Sequence, residues 1–302
     1  MVEAIDQVTL ALWAVNLGRP LNGISAWVAG IEQKMQQTKR QGADMLILPE
    51  YACEQWLSFK PEGLRPDQEI AWMAEQGAQA LPLLAPLAER YDMALLAGTM
   101  PVAHGKGGFR NRAWLFLPDG RQVGQDKLCL TPFEKDPDAW QLEPGELVHV
   151  VQWRGLKLAT CICLDVELPA LSAMLAPLEP DLILVPSMTA GLSGYSRVFG
   201  CAKARAVELM AVVAAVGVVG VAQGTTQNDS NVSGCSVFLP CEPTLGDTGL
   251  YAEIPPVAED EADGPLLIAR DIPIATIRAL RAGAAEVWPG AWRAEPVKIH
   301  MT

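Results

Sequence analysis

Short apolar segments with strand character recur along this chain, and in its first third they alternate with segments of helical period. Residues 8–15, VTLALWAV, read as a strand; Ile24, Trp27, Val28, Ile31 and Met35 then recur at three- and four-residue spacing, the mark of an amphipathic helix. DMLILP at 44–49 predicts a short buried strand, residues 68–90 a helix, and MALLAG at 93–98 another strand. Strand, helix and strand in alternation is the pattern of layered folds, so the class expected is α/β.

After Gly98 the pattern changes to a hairpin. AWLFLP at 113–118 and RQVGQDK at 121–127 flank the turn Pro118-Asp119-Gly120-Arg121, where Asp-Gly supplies positive φ at little cost. Further strands are expected at 147–152, 156–162, 181–185 and 212–222, and a helix at 196–211. Residues 253–265, EIPPVAEDEADGP, read as an acidic, proline-bearing loop. A length of 302 residues leaves one or two domains open. No repeat, low-complexity tract or domain boundary is found over 1–302.

With 50% hydrophobic and 19% charged residues, the chain has the composition of a globular protein able to bury a large core. Its 35 acids against 23 Lys plus Arg give a net charge of −12, which repels nucleic acid and anionic membranes; neither is an expected partner. The uncharged, mostly apolar stretch Leu209 to Gly224 falls short of a bilayer span. The N-terminus carries Glu3 and Asp6 where a secretory signal needs positive charge. Seven cysteines, an odd number in a chain of this size, fit reduced thiols and a cytoplasmic location better than a disulfide framework.

Three reactive side chains directly follow apolar strands: Glu50 after MLILP, Lys127 after the second hairpin strand, and Cys163 after LKLATCI. Ligands in layered α/β folds gather beyond the carboxyl ends of strands, so these three positions can converge on one pocket. A cysteine attacks as thiolate and needs a base or a nearby positive charge. The three histidines, His104, His149 and His300, occupy none of the strand ends. A carboxylate base with a lysine to hold developing charge is the remaining combination, which selects Glu50 and Lys127. Taken singly each has a more ordinary reading: a solvated acid, a surface lysine, an inert buried thiol. A metal held by Cys161 and Cys163 is not expected, because alternate residues of a strand face opposite sides.

The strings around these residues carry a family resemblance. Leu46-Ile47-Leu48-Pro49-Glu50, Lys127-Leu128-Cys129-Leu130-Thr131-Pro132-Phe133-Glu134 and Cys163-Leu164-Asp165-Val166-Glu167-Leu168-Pro169 together resemble the nitrilase superfamily of carbon–nitrogen hydrolases. The likeness continues in Asn111-Arg112, Pro144-Gly145, Val185-Pro186-Ser187 and Arg205-Ala206-Val207-Glu208, from Val8 to about Arg281. It implies one domain over 1–302, not two, with the α/β architecture of an αββα sandwich, commonly a homodimer or higher homo-oligomer, with no cofactor.

By motif position the resemblance makes Glu50 the general base, Lys127 the oxyanion-stabilising cation, Cys163 the nucleophile and Glu134 a second glutamate that positions substrate. The Leu164 peptide N–H would be a second oxyanion donor. Met188 and Thr189 are candidates for the pocket wall, with Trp56, Trp140 and Tyr195 as further loop residues. Asp165 is expected to cap the helix near Pro169 or to hold the Cys163 turn, and Arg205 with Glu208 to form a buried brace. The chain departs from the family pattern at Leu164, Cys129 and Ala170, where relatives often carry an aromatic, a histidine and an acid. The implied reaction is hydrolysis of a small linear amide or carbamoyl compound through a thioester. Nitrile hydrolysis and acyl transfer to an amine are variants, and a non-catalytic scaffold is disfavoured by the intact charged cluster.

Overall fold

The structure, a computed structural model, describes residues 5–105, 107–137, 139–225, 229–258, 262–285 and 295–301. Its strands are β1 (Val8–Trp13), β2 (Met45–Leu48), β3 (Ala94–His104), β4 (Gly108–Phe116), β5 (Gln122–Asp126), β6 (Val150–Trp153), β7 (Leu156–Thr160), β8 (Leu182–Ser187), β9 (Val212–Gly217), β10 (Ser233–Phe238), β11 (Leu250–Val257) and β12 (Leu266–Ile272). The helices are α1 (Ile24–Lys39), α2 (Glu69–Arg90), α3 (Pro132–Lys135), α4 (Pro169–Leu175), α5 (Leu192–Leu209) and α6 (Ile274–Ala279). Among the described residues no helix is long and apolar enough to cross a membrane.

The strands form two sheets, ordered β12-β1-β2-β3-β4-β5 and β11-β10-β9-β8-β7-β6. Each has three adjacent parallel strands, β1-β2-β3 and β7-β8-β9, flanked by antiparallel neighbours. The reason is visible in β1, whose six residues are all buried. Leu10 and Leu12 point into the core between the sheets, while Ala11 and Trp13 pack with Trp27, Val28 and Ile31 of α1. β2 repeats this, with Met45 and Ile47 on one side and Leu46 and Leu48 on the other. A strand covered on both faces is apolar throughout, which is why these segments lack polar alternation. On the second sheet Val198, Phe199, Ala202 and Ala206 of α5 cover the outer face. The result is the expected single-domain αββα sandwich.

Two expectations are corrected. Residues 253–257 are not loop: they complete β11, despite Pro255 and Pro256. β11 is an edge strand, where a missing N–H goes unmissed on the open side; of the remaining stretch, residues 259–261 lie outside the described residues. The helix expected at 196–211 begins at Leu192 and ends at Leu209, with Met210 in the left-handed region closing it. Arg205 does brace: its Nε donates to the Val166 carbonyl at 3.0 Å and its Nη1 to Glu208 at 2.6 Å.

Candidate active site

Three chain turns deliver the reactive side chains. β2 ends at Leu48, and Glu50 stands just before Tyr51, which adopts a left-handed φ of 50° and opens a 3₁₀ turn over Ala52–Phe59. The Tyr51 N–H donates to Thr99 Oγ1 at 3.0 Å, fixing this corner to β3. Lys127 follows β5, its N–H donating to the Asn111 carbonyl of β4 at 2.8 Å. Glu134 sits on α3, a single turn that Pro132 starts and Thr131 caps; the Thr131 N–H donates back to Glu134 Oε2 at 2.8 Å. After β7 the chain is extended at Ile162, then turns left-handed at Cys163, with φ 49°, into a 3₁₀ turn over Cys163–Glu167. A non-glycine residue held there stores local strain, a common feature of functional turns.

Asp165 ties two of these turns together. Its carboxylate accepts from the backbone N–H groups of Cys129 at 2.8 Å, Leu128 at 3.1 Å and Ile162 at 3.1 Å. It therefore holds the Cys163 turn against the Lys127 loop, and α4 has no side-chain cap. Burial raises its pKa to about 6, against the pull of the Cys129 and Leu128 N–H groups.

Glu50, Lys127, Glu134 and Cys163 meet in one cluster, each no more than 6% exposed. Lys127 Nζ donates to Glu50 Oε1 at 2.8 Å and to both Glu134 oxygens at 2.9 and 2.8 Å. Asn111 Nδ2 donates to Glu50 Oε1 at 2.9 Å, and the Tyr51 hydroxyl to Glu134 Oε1 at 3.1 Å. The Cys163 thiol donates to the Met188 carbonyl at 3.5 Å and also interacts with the Glu50 carboxylate.

Electrostatics separates the two acids. Burial pushes Glu50 up to about 7, against the pull of the Lys127 charge. Glu134 is held below the usual carboxylate range: burial acts to raise it, but Lys127 and the Thr131 donors prevail. Burial alone would lower Lys127, yet the Glu50 and Glu134 charges keep it firmly protonated. The Cys163 thiol lies well above its ordinary value through burial and the Glu50 charge, so it rests as the thiol. A base poised near neutrality beside a protonated thiol and a fixed ammonium is suited to general-base nucleophilic chemistry.

The cluster lies at the floor of a cavity of about 320 Å³. Leu164, Met188, Thr189 and Trp140 line it as anticipated; Trp56 and Tyr195 do not. Trp56 is wholly buried, edge-on to Trp27 at 5.1 Å. Cys161 does not line the cavity. Among the described residues no group of three or more His, Cys, Asp or Glu is arranged to hold a metal ion. Tyr51 and Asn111 were not singled out for a role. Tyr51 is marked in the sequence by adjacency to Glu50 alone, and Asn111 by its place in the Asn111-Arg112 string that shares the family likeness.

The chain matches the family model for carbon–nitrogen hydrolases over residues 14–239. It belongs to this family. It is 30% identical over 72% of its length to a probable hydrolase, YhcX, of Bacillus subtilis (strain 168), and 32% identical over 57% of its length to an (R)-stereoselective amidase of Pseudomonas sp. These matches take in 42% and 54% of the two proteins, so the chain spans about half the length of the curated relatives it matches. An amidase structure from Nesterenkonia sp. superposes with a TM-score of 0.69 at 25% identity, covering 93% of this chain and 97% of that one. A variant of the Nesterenkonia amidase, at TM-score 0.68 and 25% identity over 93% and 97% of the two chains, carries the acetamide moiety of fluoroacetamide on its active-site cysteine. Nitrilase-superfamily membership thus extends to the carbon–nitrogen hydrolase chain described here.

Proposed function

We propose that this hydrolase cleaves the carbon–nitrogen bond of a small amide through a thioester on Cys163. The observation that carries the reading is the placement of the Lys127 ammonium between Glu50 and Glu134, at 2.8 Å from each, beside a buried thiol. Glu50 takes the thiol proton as Cys163 Sγ attacks the amide carbonyl. The oxyanion forms against Lys127 Nζ and the Leu164 N–H, which stands in the first turn of its 3₁₀ segment where no helical acceptor serves it. As the carbon–nitrogen bond breaks, the protonated Glu50 returns its proton to the departing ammonia or amine. Water then gives a proton to Glu50 and attacks the thioester, releasing the acid and restoring the thiol. Glu134 stays ionised throughout and holds Lys127 in place. The relatives support an amide over a nitrile, since two of them are amidases by name and one is modified at its cysteine by an amide reagent. Seven free cysteines support work in the reducing cytoplasm.

Rapid quenching during turnover of a panel of primary amides, followed by intact-mass analysis and peptide mapping, tests this. An acyl adduct on Cys163, absent in Cys163→Ala together with all turnover, is the expected result. Undiminished turnover in Cys163→Ala removes the proposal.

A further inference from the structure

Beyond the catalytic cluster, the cavity wall carries two charged side chains, Glu167 and Arg197. Glu167 stands four residues after Cys163 on the same 3₁₀ segment, which at about 2 Å rise per residue sets their backbones roughly 8 Å apart along it, and both line the cavity. Arg197 comes from α5, and the adjoining wall is made of Gly191, Ser193 and Gly194, which leave room beside the pair. The two are unequally anchored. The Glu167 side chain is 17% exposed and that of Arg197 63%, and they meet by one contact only, Nε to Oε2 at 3.4 Å. A single long contact to a mostly solvated guanidinium contributes little, so Arg197 is free to swing out while Glu167 stays facing the cavity.

The charge balance gives the pocket a sign. Two acids, Glu134 and Glu167, stand against two cations, Lys127 and Arg197, and Glu50, pushed up to about 7, adds part of a negative charge at neutral pH, while the chain as a whole carries −12. Such a cavity favours a cationic ligand and repels a carboxylate. We propose that Glu167 is a specificity residue that receives an ammonium group on the acyl side of the substrate, several bonds from the scissile carbonyl, with Arg197 as its partner in the empty site. The substrate class is then an aminoacyl amide with a remote amine. This rests on the amidase reading above.

The test compares three amides of similar size: 4-aminobutanamide, its neutral isostere pentanamide, and succinamate. At pH 7 the expected kcat/KM for 4-aminobutanamide exceeds that for pentanamide by about tenfold or more, with succinamate poorest, and Glu167→Gln brings the first ratio close to one. Both members of the ratio are measured on one preparation, so partial unfolding scales them alike. Arg197→Ala should keep or widen the preference. Equal handling of the first two amides, an unchanged ratio in Glu167→Gln, or a preference for succinamate lost in Arg197→Ala overturns the proposal. If none of the three is hydrolysed, the amidase reading has failed on these substrates, and calorimetric binding to Cys163→Ala decides the ammonium site separately. Tighter binding of 4-aminobutanamide than of pentanamide upholds it; equal or absent binding overturns it.

Discussion

Glu134 grips Lys127 with both carboxylate oxygens, at 2.9 and 2.8 Å, while Glu50 takes the same ammonium with one. The asymmetry matches the electrostatics: the doubly bonded acid is held below the usual carboxylate range, and the other is left near neutrality, as the proposed base requires. Two carboxylates around one buried cation thereby acquire different tasks from environment alone.

Removing that cation should cost more than one oxyanion contact. Lys127→Ala leaves the tetrahedral intermediate with the Leu164 N–H alone and two buried acids facing each other. The expected loss in kcat is at least about 10²–10³-fold, measured by steady-state kinetics beside a thermal melt that confirms folding. A raised KM at unchanged kcat would instead make Lys127 a binding residue.

The rate should follow the ionisation of the base. With Glu50 pushed up to about 7, the acid is largely protonated below that pH and cannot accept the thiol proton. The expected kcat/KM therefore rises with pH through an apparent midpoint near 7, a property of the coupled cluster. Glu50→Gln should abolish the rise together with the activity. A profile flat from pH 5 to 8 in the wild type would assign the base elsewhere.

Gly98 supports the site from behind. It lies at φ +72°, and a Cβ there would stand 2.2 Å from the Pro49 carbonyl oxygen, one residue before Glu50. Gly98→Ala must displace the corner that aims the base, so both Tm and kcat should fall, with a stability loss on the order of 1–3 kcal/mol. Gly120, at φ +84° with nothing within 4 Å, is the control for backbone strain alone. Equal effects of the two substitutions would refute the role of the close approach.

What the sequence made legible follows from what folding constrains locally. Glu50 and Cys163 stand out because each follows a buried apolar strand, and Lys127 because it follows the second strand of the hairpin; strand ends are where α/β sheets collect chemistry. The edge position of β11 leaves no local trace, so Pro255 and Pro256 read as breakers when pairing with β10 overrides them. Asn111 and Tyr51 join the site through side-chain contacts to distant residues, Glu50, 61 positions from Asn111, and Glu134, 83 positions from Tyr51. Local patterning carries no information at that range. Trp56 shows the converse: a loop aromatic near Glu50 invites a pocket role, while its burial against Trp27 spends it in the core.

Glu54 offers the last test, of stability instead of rate. It is wholly buried four residues past Glu50, and neither carboxylate oxygen has a hydrogen-bond partner. Burial, then the charges of Glu69 and Glu50, push it up to about 8 from 4.5. Between those values the folded protein keeps a proton that the unfolded chain has released, so stability falls as pH rises from about 4.5 to 8 and levels off above. At pH 7 the fall from this group is about 3 kcal/mol relative to pH 4. Glu54→Gln mimics the protonated acid without the titration. Urea unfolding across this range should therefore show a shallower decline for the variant, with the two proteins similar near pH 4.5 and the variant more stable at pH 8. Parallel curves for the two proteins would show that Glu54 does not carry the proton.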